Sequence, residues 1–478
     1  MKFLKIIKEF SKKNPNEVCI IKDKKFLTYG EFWGLSLKFA AYLNLKSKKN
    51  KIVCIRENDD FYDYIAIIGT LIAGGTYVPI NKLMPINKVH NIISRIRPEF
   101  FFSNLTFKNN KTWVINSKIL KNIIKFKKQK NFKNAYILFT SGTTGEPKGV
   151  VISKKALDQY IIWLRNNIKV SKRYNISQIP SIGFDLSLSD IFLSLISGSK
   201  LIIPNEEEII FTGKLIENKK INHLVCTPSM IDYIQSSGYL NKKVFESVKS
   251  IFFCGETLYE KQIFKLFKIN KNLKITNAYG PTEATCSMSF VKFNYLNYKK
   301  YCNKTVSIGS PNKKMNIKLF DKLKNEKNDR GEIFISGPQL AEGYFKNKKD
   351  SKKNFLFVNK KRYYKTGDLA ERIKNKLYFI GRIDSQIKSR GFRIELSEIN
   401  YYLMKYGFNK AHSVFYKKKL ISLVEGNYEI SKKLINYMNK NLEYYKIPQK
   451  IYKIDNFLLN KNGKIDSAKI LNQVKNEK

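Results

Sequence analysis

An apolar run, Tyr136-Ile137-Leu138-Phe139, enters the string Thr140-Ser141-Gly142-Thr143-Thr144-Gly145-Glu146-Pro147-Lys148-Gly149. Glycines let backbone N–H groups approach closely and curl around an anion. Hydroxyls donate further hydrogen bonds, and a lysine adds positive charge. This is chemistry for holding phosphate. The spacing differs from the GxxxxGK(S/T) loop, because Lys148 is followed by Gly149. The bland alternative is a Gly/Thr-rich hairpin with no ligand, and the complete string through Pro147-Lys148-Gly149 argues against it.

Such a loop needs a scaffold, and the surrounding pattern supplies one. Strand-like and helix-like runs alternate, which predicts an α/β layer architecture. Residues 51–55 read as a buried strand, 61–73 as a helix and 76–80 as the next strand. The rhythm returns with a strand at 223–226, a helix at 229–236 and a strand at 250–254. Residues 107–133, rich in Lys and Asn, read as a loose surface excursion, and 295–304 as a loop. From Met315 the pattern becomes short strands with glycine turns, at 317–320, 331–336 and 377–381. A tail of domain size follows Arg382.

Composition narrows the function classes. The chain of 478 residues carries 89 basic and 39 acidic side chains, a formal charge of +50, yet the lysines are spread throughout and form no arm or stripe. Nucleic-acid binding therefore has charge alone in its favour and no recognised motif. The surplus would speed docking of an acidic partner by long-range attraction. The six cysteines include no CxxC pair, and with only three histidines there is no zinc-ligand spacing. Scattered thiols fit a reducing, cytoplasmic setting. The most apolar stretch, 64–80, is broken by Gly69, Gly74, Gly75 and Pro79 and falls short of the roughly 20 residues of a membrane span.

The loop resembles the signature of the adenylate-forming superfamily, which includes acyl-CoA synthetases, luciferases and amino-acid adenylation domains. Further matches follow in the family's order. They are Leu27-Thr28-Tyr29-Gly30-Glu31-Phe32, Gly74-Gly75-Thr76-Tyr77-Val78-Pro79, Asn277-Ala278-Tyr279-Gly280-Pro281-Thr282-Glu283, Tyr364-Lys365-Thr366-Gly367-Asp368, Gly381-Arg382-Ile383-Asp384 and Asn462-Gly463-Lys464-Ile465-Asp466. The resemblance implies a large, multi-layer N-terminal domain of sheets and helices over 1–381 and a hinge at 382–385 about Asp384. A small, mobile α+β domain over 386–478 would carry the catalytic lysine, Lys464. Rotation about the hinge would withdraw Lys464 after adenylation and bring 388–393 toward a thiol channel.

The same resemblance implies roles. Adenylation brings a carboxylate against the α-phosphorus of ATP, so cations must offset the repulsion of two anions. Thr140, Ser141 and Lys148 would grip the β- and γ-phosphates, with Gly142, Thr143, Thr144 and Gly145 completing the cradle. Thr282 would contact the α-phosphate, and Glu283 would hold Mg²⁺, a hard cation that prefers carboxylate oxygen. Tyr279 offers a flat face to adenine within Asn277-Ala278-Tyr279-Gly280-Pro281. Asp368 would accept both ribose hydroxyls, with Arg382 near the same sugar, and Lys464 would bridge the substrate carboxylate and the α-phosphate. Ser467 stands where the family usually has a basic residue.

Asp185, in Gly183-Phe184-Asp185-Leu186-Ser187, matches the aspartate with which amino-acid adenylation domains pair the substrate ammonium. Its alternative is a helix cap, given Ser187 and Ser189 nearby. Cys226-Thr227-Pro228-Ser229-Met230 and Phe252-Phe253-Cys254-Gly255-Glu256-Thr257-Leu258 resemble the branch of D-alanine–carrier protein ligases. Cys254 would narrow the substrate pocket toward a methyl side chain. Cys286 stands where that branch tends to place a small aliphatic residue. The expected reaction is ATP- and Mg²⁺-dependent activation of a small amino acid, D-alanine best. Transfer to the phosphopantetheine thiol of a separate acyl or peptidyl carrier protein would follow, by a protein expected to be a monomer. The alternatives are adenylation of another small amino acid in a peptide or polysaccharide-modification pathway and, further off, an acyl-CoA synthetase.

Overall fold

A computed structural model of the chain describes residues 1–47, 51–103, 113–115, 132–140, 147–321, 323, 325–384, 386–389, 392–416, 419–458, 465 and 469–470. The chain divides into two units. The first comprises Met1–Lys82, Ile96–Phe139 and Gly149–Ile383, and the second Leu83–Arg95, Thr140–Lys148 and Asp384–Lys478. Ser141, Gly142, Thr143, Thr144, Gly145 and Lys464 lie outside the described residues.

Among the described residues of the first unit, one sheet of nine strands runs Ser310–Pro311, Ser289–Phe293, Lys274–Tyr279, Ser250–Phe253, His223–Cys226, Asn175–Ser177, Lys200–Ile203, Val18–Lys22, Lys25–Thr28. Its central strands are parallel. Parallel strands are covered on both faces and read as unbroken apolar runs; all four residues of His223–Cys226 are buried. The register sets Cys226 opposite Phe253 and Phe253 opposite Asn277. The segments that follow these strands therefore leave at one edge, the carboxyl edge, where open α/β sheets bind ligands.

A second sheet of seven strands runs Gly343–Tyr344, Lys148–Ser153, Asn134–Thr140, Thr76–Ile80, Ile52–Arg56, Phe100–Phe102, Trp113–Ile115. The stretch read from sequence as a loose excursion thus contributes a strand, Trp113–Ile115, paired in parallel with Phe100–Phe102. A third sheet is antiparallel and joins Asn316–Phe320, Arg330–Ser336, Lys361–Ile373 and Lys376–Arg382. Residues 295–304 are more ordered than a loop. They hold a 3₁₀ turn, Tyr298–Tyr301, and a two-residue strand, Cys302–Asn303, because Tyr298 is buried with its ring 5.1 Å from that of Phe267.

The second unit is α+β. Strands Lys410–Tyr416 and Lys419–Glu425 are antiparallel, and Lys450–Lys453 pairs in parallel with the latter. Helices Leu396–Tyr406 and Lys432–Asn441 cover them through Ile399, Leu403, Leu434 and Met438. Lys88, from the segment Leu83–Arg95, is buried in this unit with Glu398, Glu443 and Lys446. Among the described residues no helix is long and apolar enough to cross a membrane.

Candidate active site

The strand Lys274–Tyr279 delivers Tyr279 to the carboxyl edge of the large sheet. Gly280 follows because nothing larger fits: a Cβ there would stand 2.7 Å from the Cys286 carbonyl oxygen. The Tyr279 ring is buried, and its hydroxyl donates to Asp368 Oδ2 at 2.7 Å. Burial, and then the carboxylate of Asp368, hold the phenol well above its ordinary pKa, so it stays a donor.

Asp368 is aimed by a bulge. Glu332 pairs with Leu369 and Phe334 with Lys365, so Thr366, Gly367 and Asp368 together oppose Ile333. Such bulges bend a strand and re-aim its side chains. Gly367 has φ +74°, a left-handed conformation that suits glycine. The Thr366 hydroxyl donates to the Ile333 carbonyl at 2.7 Å, and the amide of Gly367 to Glu332 Oε1 at 2.8 Å, so the broken ladder is satisfied. Arg382 lies directly across the antiparallel pair from Asp368. Its guanidinium donates to Asp368 Oδ1 and, at 3.1 Å, to the Thr366 carbonyl. The structure thus brings together Tyr279, Asp368 and Arg382, which lie up to 103 residues apart in sequence.

Thr282 and Glu283 form a 3₁₀ turn directly after Pro281. Glu283 is buried and accepts from the Tyr344 hydroxyl at 2.9 Å. The turn continues through Thr285 and Cys286, both left-handed at φ +59° and +71°. Side chains pin this strained pair: Thr285 donates to the Gln339 carbonyl at 2.7 Å, and Gln339 Nε2 to the Ser287 carbonyl at 3.0 Å. Consecutive left-handed residues with side chains concentrate where surroundings over-determine them, as at functional sites. Ala278 is buried in the strand, and the amide of Asn277 ties it to the Ser307 carbonyl at 2.9 Å.

Asp185 lies in the segment that follows the parallel strand Asn175–Ser177. The helix Ser187–Ser197 has Leu186, not Asp185, at its N-cap position. A residue missed in the sequence holds this segment: buried Glu57 accepts from the Ile182 amide at 3.0 Å and from the Ser181 hydroxyl. Burial raises the Glu57 carboxyl to about 6 against the pull of these bonds. Cys254 and Cys286 are buried and lie in the same hydrophobic core. Burial first, then Cys254 and the charge of Asp185, push the Cys286 thiol up. Cys254 and Cys286 thus share the core of the first unit, with Asp185 near enough for its charge to act on the Cys286 thiol.

Thr140 and Lys148 belong to the second unit, where the Thr140 hydroxyl lies 3.5 Å from the Lys148 carbonyl oxygen. Arg95 donates to the Pro147 carbonyl at 2.6 Å, an anchor for the end of the loop that the sequence did not reveal. Asp384 opens the last segment of the second unit and accepts from the Gln386 amide at 3.2 Å. Tyr344 was likewise missed, being one tyrosine among 28 with no motif around it.

A family model described as AMP-binding enzyme matches residues 7–345. A D-alanine–D-alanyl carrier protein ligase of Staphylococcus aureus is 30% identical over 486 aligned positions, covering 97% of this chain and 97% of the relative. The chain belongs to the AMP-binding, adenylate-forming family. It is an adenylate-forming enzyme related to carrier-protein ligases, and ATP use follows at family level. Among solved structures, the Vibrio cholerae adenylation domain AlmE in complex with glycyl-adenosine-5'-phosphate superposes with TM-score 0.85 at 21% identity, covering 100% of this chain and 97% of that one. An o-succinylbenzoate CoA synthetase of Bacillus subtilis gives 0.83 at 18% identity, with 98% of each chain covered. Proteins that handle unlike acids thus share this fold, and the acid must be argued from the pocket.

Proposed function

We propose that this enzyme activates a small amino acid, D-alanine best, as its aminoacyl-adenylate and transfers it to the phosphopantetheine thiol of a separate carrier protein. The observation that carries this reading is the juxtaposition of Asp185 with Cys254 and Cys286. A carboxylate beside a small, buried wall suits an ammonium attached to a short side chain, whereas a fatty or aryl acid offers nothing for Asp185 to neutralise. The relative's name, which states both D-alanine and a carrier protein, supports the same choice.

In the first half-reaction a carboxylate oxygen of the amino acid attacks the α-phosphorus of ATP, and the bond to pyrophosphate breaks. Tyr279 would lie against adenine, and Asp368, steadied by Arg382, would accept the ribose hydroxyls. Thr140, Ser141 and Lys148 would hold the leaving phosphates, with Thr282 at the α-phosphate. Lys464 would offset the charge that develops between the two reactants. Mg²⁺ binds through one or two carboxylates plus substrate phosphates, rather than through an all-protein cage. The buried carboxylate of Glu283 fits that demand, and no group of three or more ligand side chains is gathered among the described residues. Bound there, the ion would neutralise phosphate charge. In the second half-reaction the carrier thiol attacks the acyl carbon, and AMP leaves.

The test is intact-mass analysis of a phosphopantetheinylated carrier protein incubated with enzyme, ATP, Mg²⁺ and single D- or L-amino acids. The expected result is a mass gain of one alanyl group with D-alanine, dependent on ATP. A carrier left unloaded by every amino acid, with coenzyme A acylated instead, would overturn the reading.

A further inference from the structure

Tyr160, on the helix Lys154–Asn167, is 0% exposed, and its ring stacks on Trp163 with centroids 5.8 Å apart. The stack fixes where the hydroxyl ends. That hydroxyl is 2.8 Å from Ser189 Oγ, donates to Cys286 Sγ at 3.4 Å and accepts from Ser287 Oγ at 3.4 Å. A phenol has one proton and two lone pairs, so three partners use its full capacity. Ser189 and Cys286 also approach each other, at 3.7 Å between Oγ and Sγ. All four residues are buried.

Three parts of the pocket converge on this one oxygen. Ser189 lies four residues beyond Asp185, on the helix Ser187–Ser197. Cys286 belongs to the left-handed pair after the 3₁₀ turn and shares the core with Cys254. Tyr160 comes from an element that no site motif includes. A left-handed residue with a side chain persists only where its surroundings over-determine it, and the Tyr160 hydroxyl is a direct tether on the Cys286 side chain.

We propose that Tyr160 is a positioning residue. It fixes the Cys286 thiol and Ser189 as one rigid wall of the amino-acid pocket, and so limits the length of side chain that the enzyme accepts. It acts through these two residues and does not touch the substrate. The role rests on the amino-acid pocket proposed above. Phenylalanine would fill the same volume but remove the shared hydroxyl, leaving Cys286, Ser189 and Ser287 each with one partner fewer and freeing the thiol to change rotamer.

The experiment compares amino-acid-dependent ATP–pyrophosphate exchange by the full-length wild type and Tyr160→Phe, using alanine, serine and valine of both hands. One methylene in an apolar pocket is worth roughly 10–200-fold in selectivity. The expected loss is about tenfold in the preference for alanine over valine, through the amino-acid KM, with kcat for alanine and the KM for ATP changed by less than about twofold. An unchanged preference, or equal losses for all substrates and for ATP, overturns the role. Ser189→Ala gives a second reading of the same tether. It should relax selectivity in the same direction, and the double variant should do no more than either single change; additive effects would contradict a shared hydroxyl. A wild type without amino-acid-dependent exchange would instead refute the pocket itself, and is thereby distinguished from failure of Tyr160 alone.

Discussion

Two buried polar clusters, one in each unit, invite opposite readings. In the second unit, Lys88 Nζ lies 2.6 Å from Glu398 and 2.8 Å from Glu443, while Lys446 Nζ lies 2.8 Å from each of the same carboxylates. Two cations face two anions, every ion has two opposite partners, and the cluster closes on itself. Burial alone would raise the Glu443 carboxyl, yet Lys446 and Lys88 outweigh it and hold it down to about 2. Burial would lower Lys446, and Glu398 with Glu443 keep it well above its ordinary range. In the first unit, Asp368 is equally buried but meets one guanidinium and one phenol. A carboxylate has about four acceptor sites, so capacity remains for ribose hydroxyls. It also stands on a bulge near the carboxyl edge of the sheet, where the closed cluster has no counterpart. Burial by itself distinguishes nothing; completeness of pairing, and position on the sheet, separate a structural ion cluster from a site.

The comparison can be broken most forcefully at Lys88. Lys88→Met should destabilise the second unit by about 3–5 kcal/mol, because two buried glutamates are left with one cation, as read by urea unfolding. Its KM for ATP should stay within about twofold of wild type where the protein is folded. A stability loss under about 1 kcal/mol would show that the cluster is not the sealed structural element described.

Asp368→Asn should do the reverse. An expected rise of about 10–100-fold in the KM for ATP, about 1.4–2.7 kcal/mol, should come with a smaller stability loss than that of Lys88→Met. Steady-state kinetics over ATP concentration and a thermal melt read both. An unfolding defect with unchanged KM would make Asp368 the structural residue.

The smallest expected effect is in acid. The folded pKa of Glu443 lies below its unfolded value, so its contribution is present above about pH 4.5. It fades as pH falls toward 2, with protons taken up on unfolding. Roughly 1 kcal/mol should be lost by pH 3.5, and the slope of stability against pH should flatten over that range in a Glu443→Gln variant.

Much of the first unit was legible from residue order, and for a definite reason. Strands buried on both faces are built from apolar runs, as in Leu224-Val225-Cys226 of the strand His223–Cys226, and the glycines and prolines that end them are equally visible. The motifs around Tyr279, Thr282 and Asp368 were legible because their residue types and spacing match a family pattern. The Thr366–Asp368 bulge was hidden, since register belongs to a strand pair rather than to one strand. Lys88 was hidden for a simpler reason. It is one lysine in a lysine-rich chain, and its partners Glu398 and Glu443 lie 310 and 355 residues away. Tyr160 and Tyr344 carry no local mark, because their importance lies in which oxygen each reaches.

Isotope exchange between pyrophosphate and ATP, measured with the intact protein against small D- and L-amino acids, a fatty acid and an aryl acid, tests the central claim most directly. Exchange that requires a small amino acid, is strongest with D-alanine and falls by at least about 10³-fold in Lys464→Ala while ATP still binds is the predicted result. Exchange driven by the fatty or aryl acid alone, or undiminished in Lys464→Ala, would contradict it.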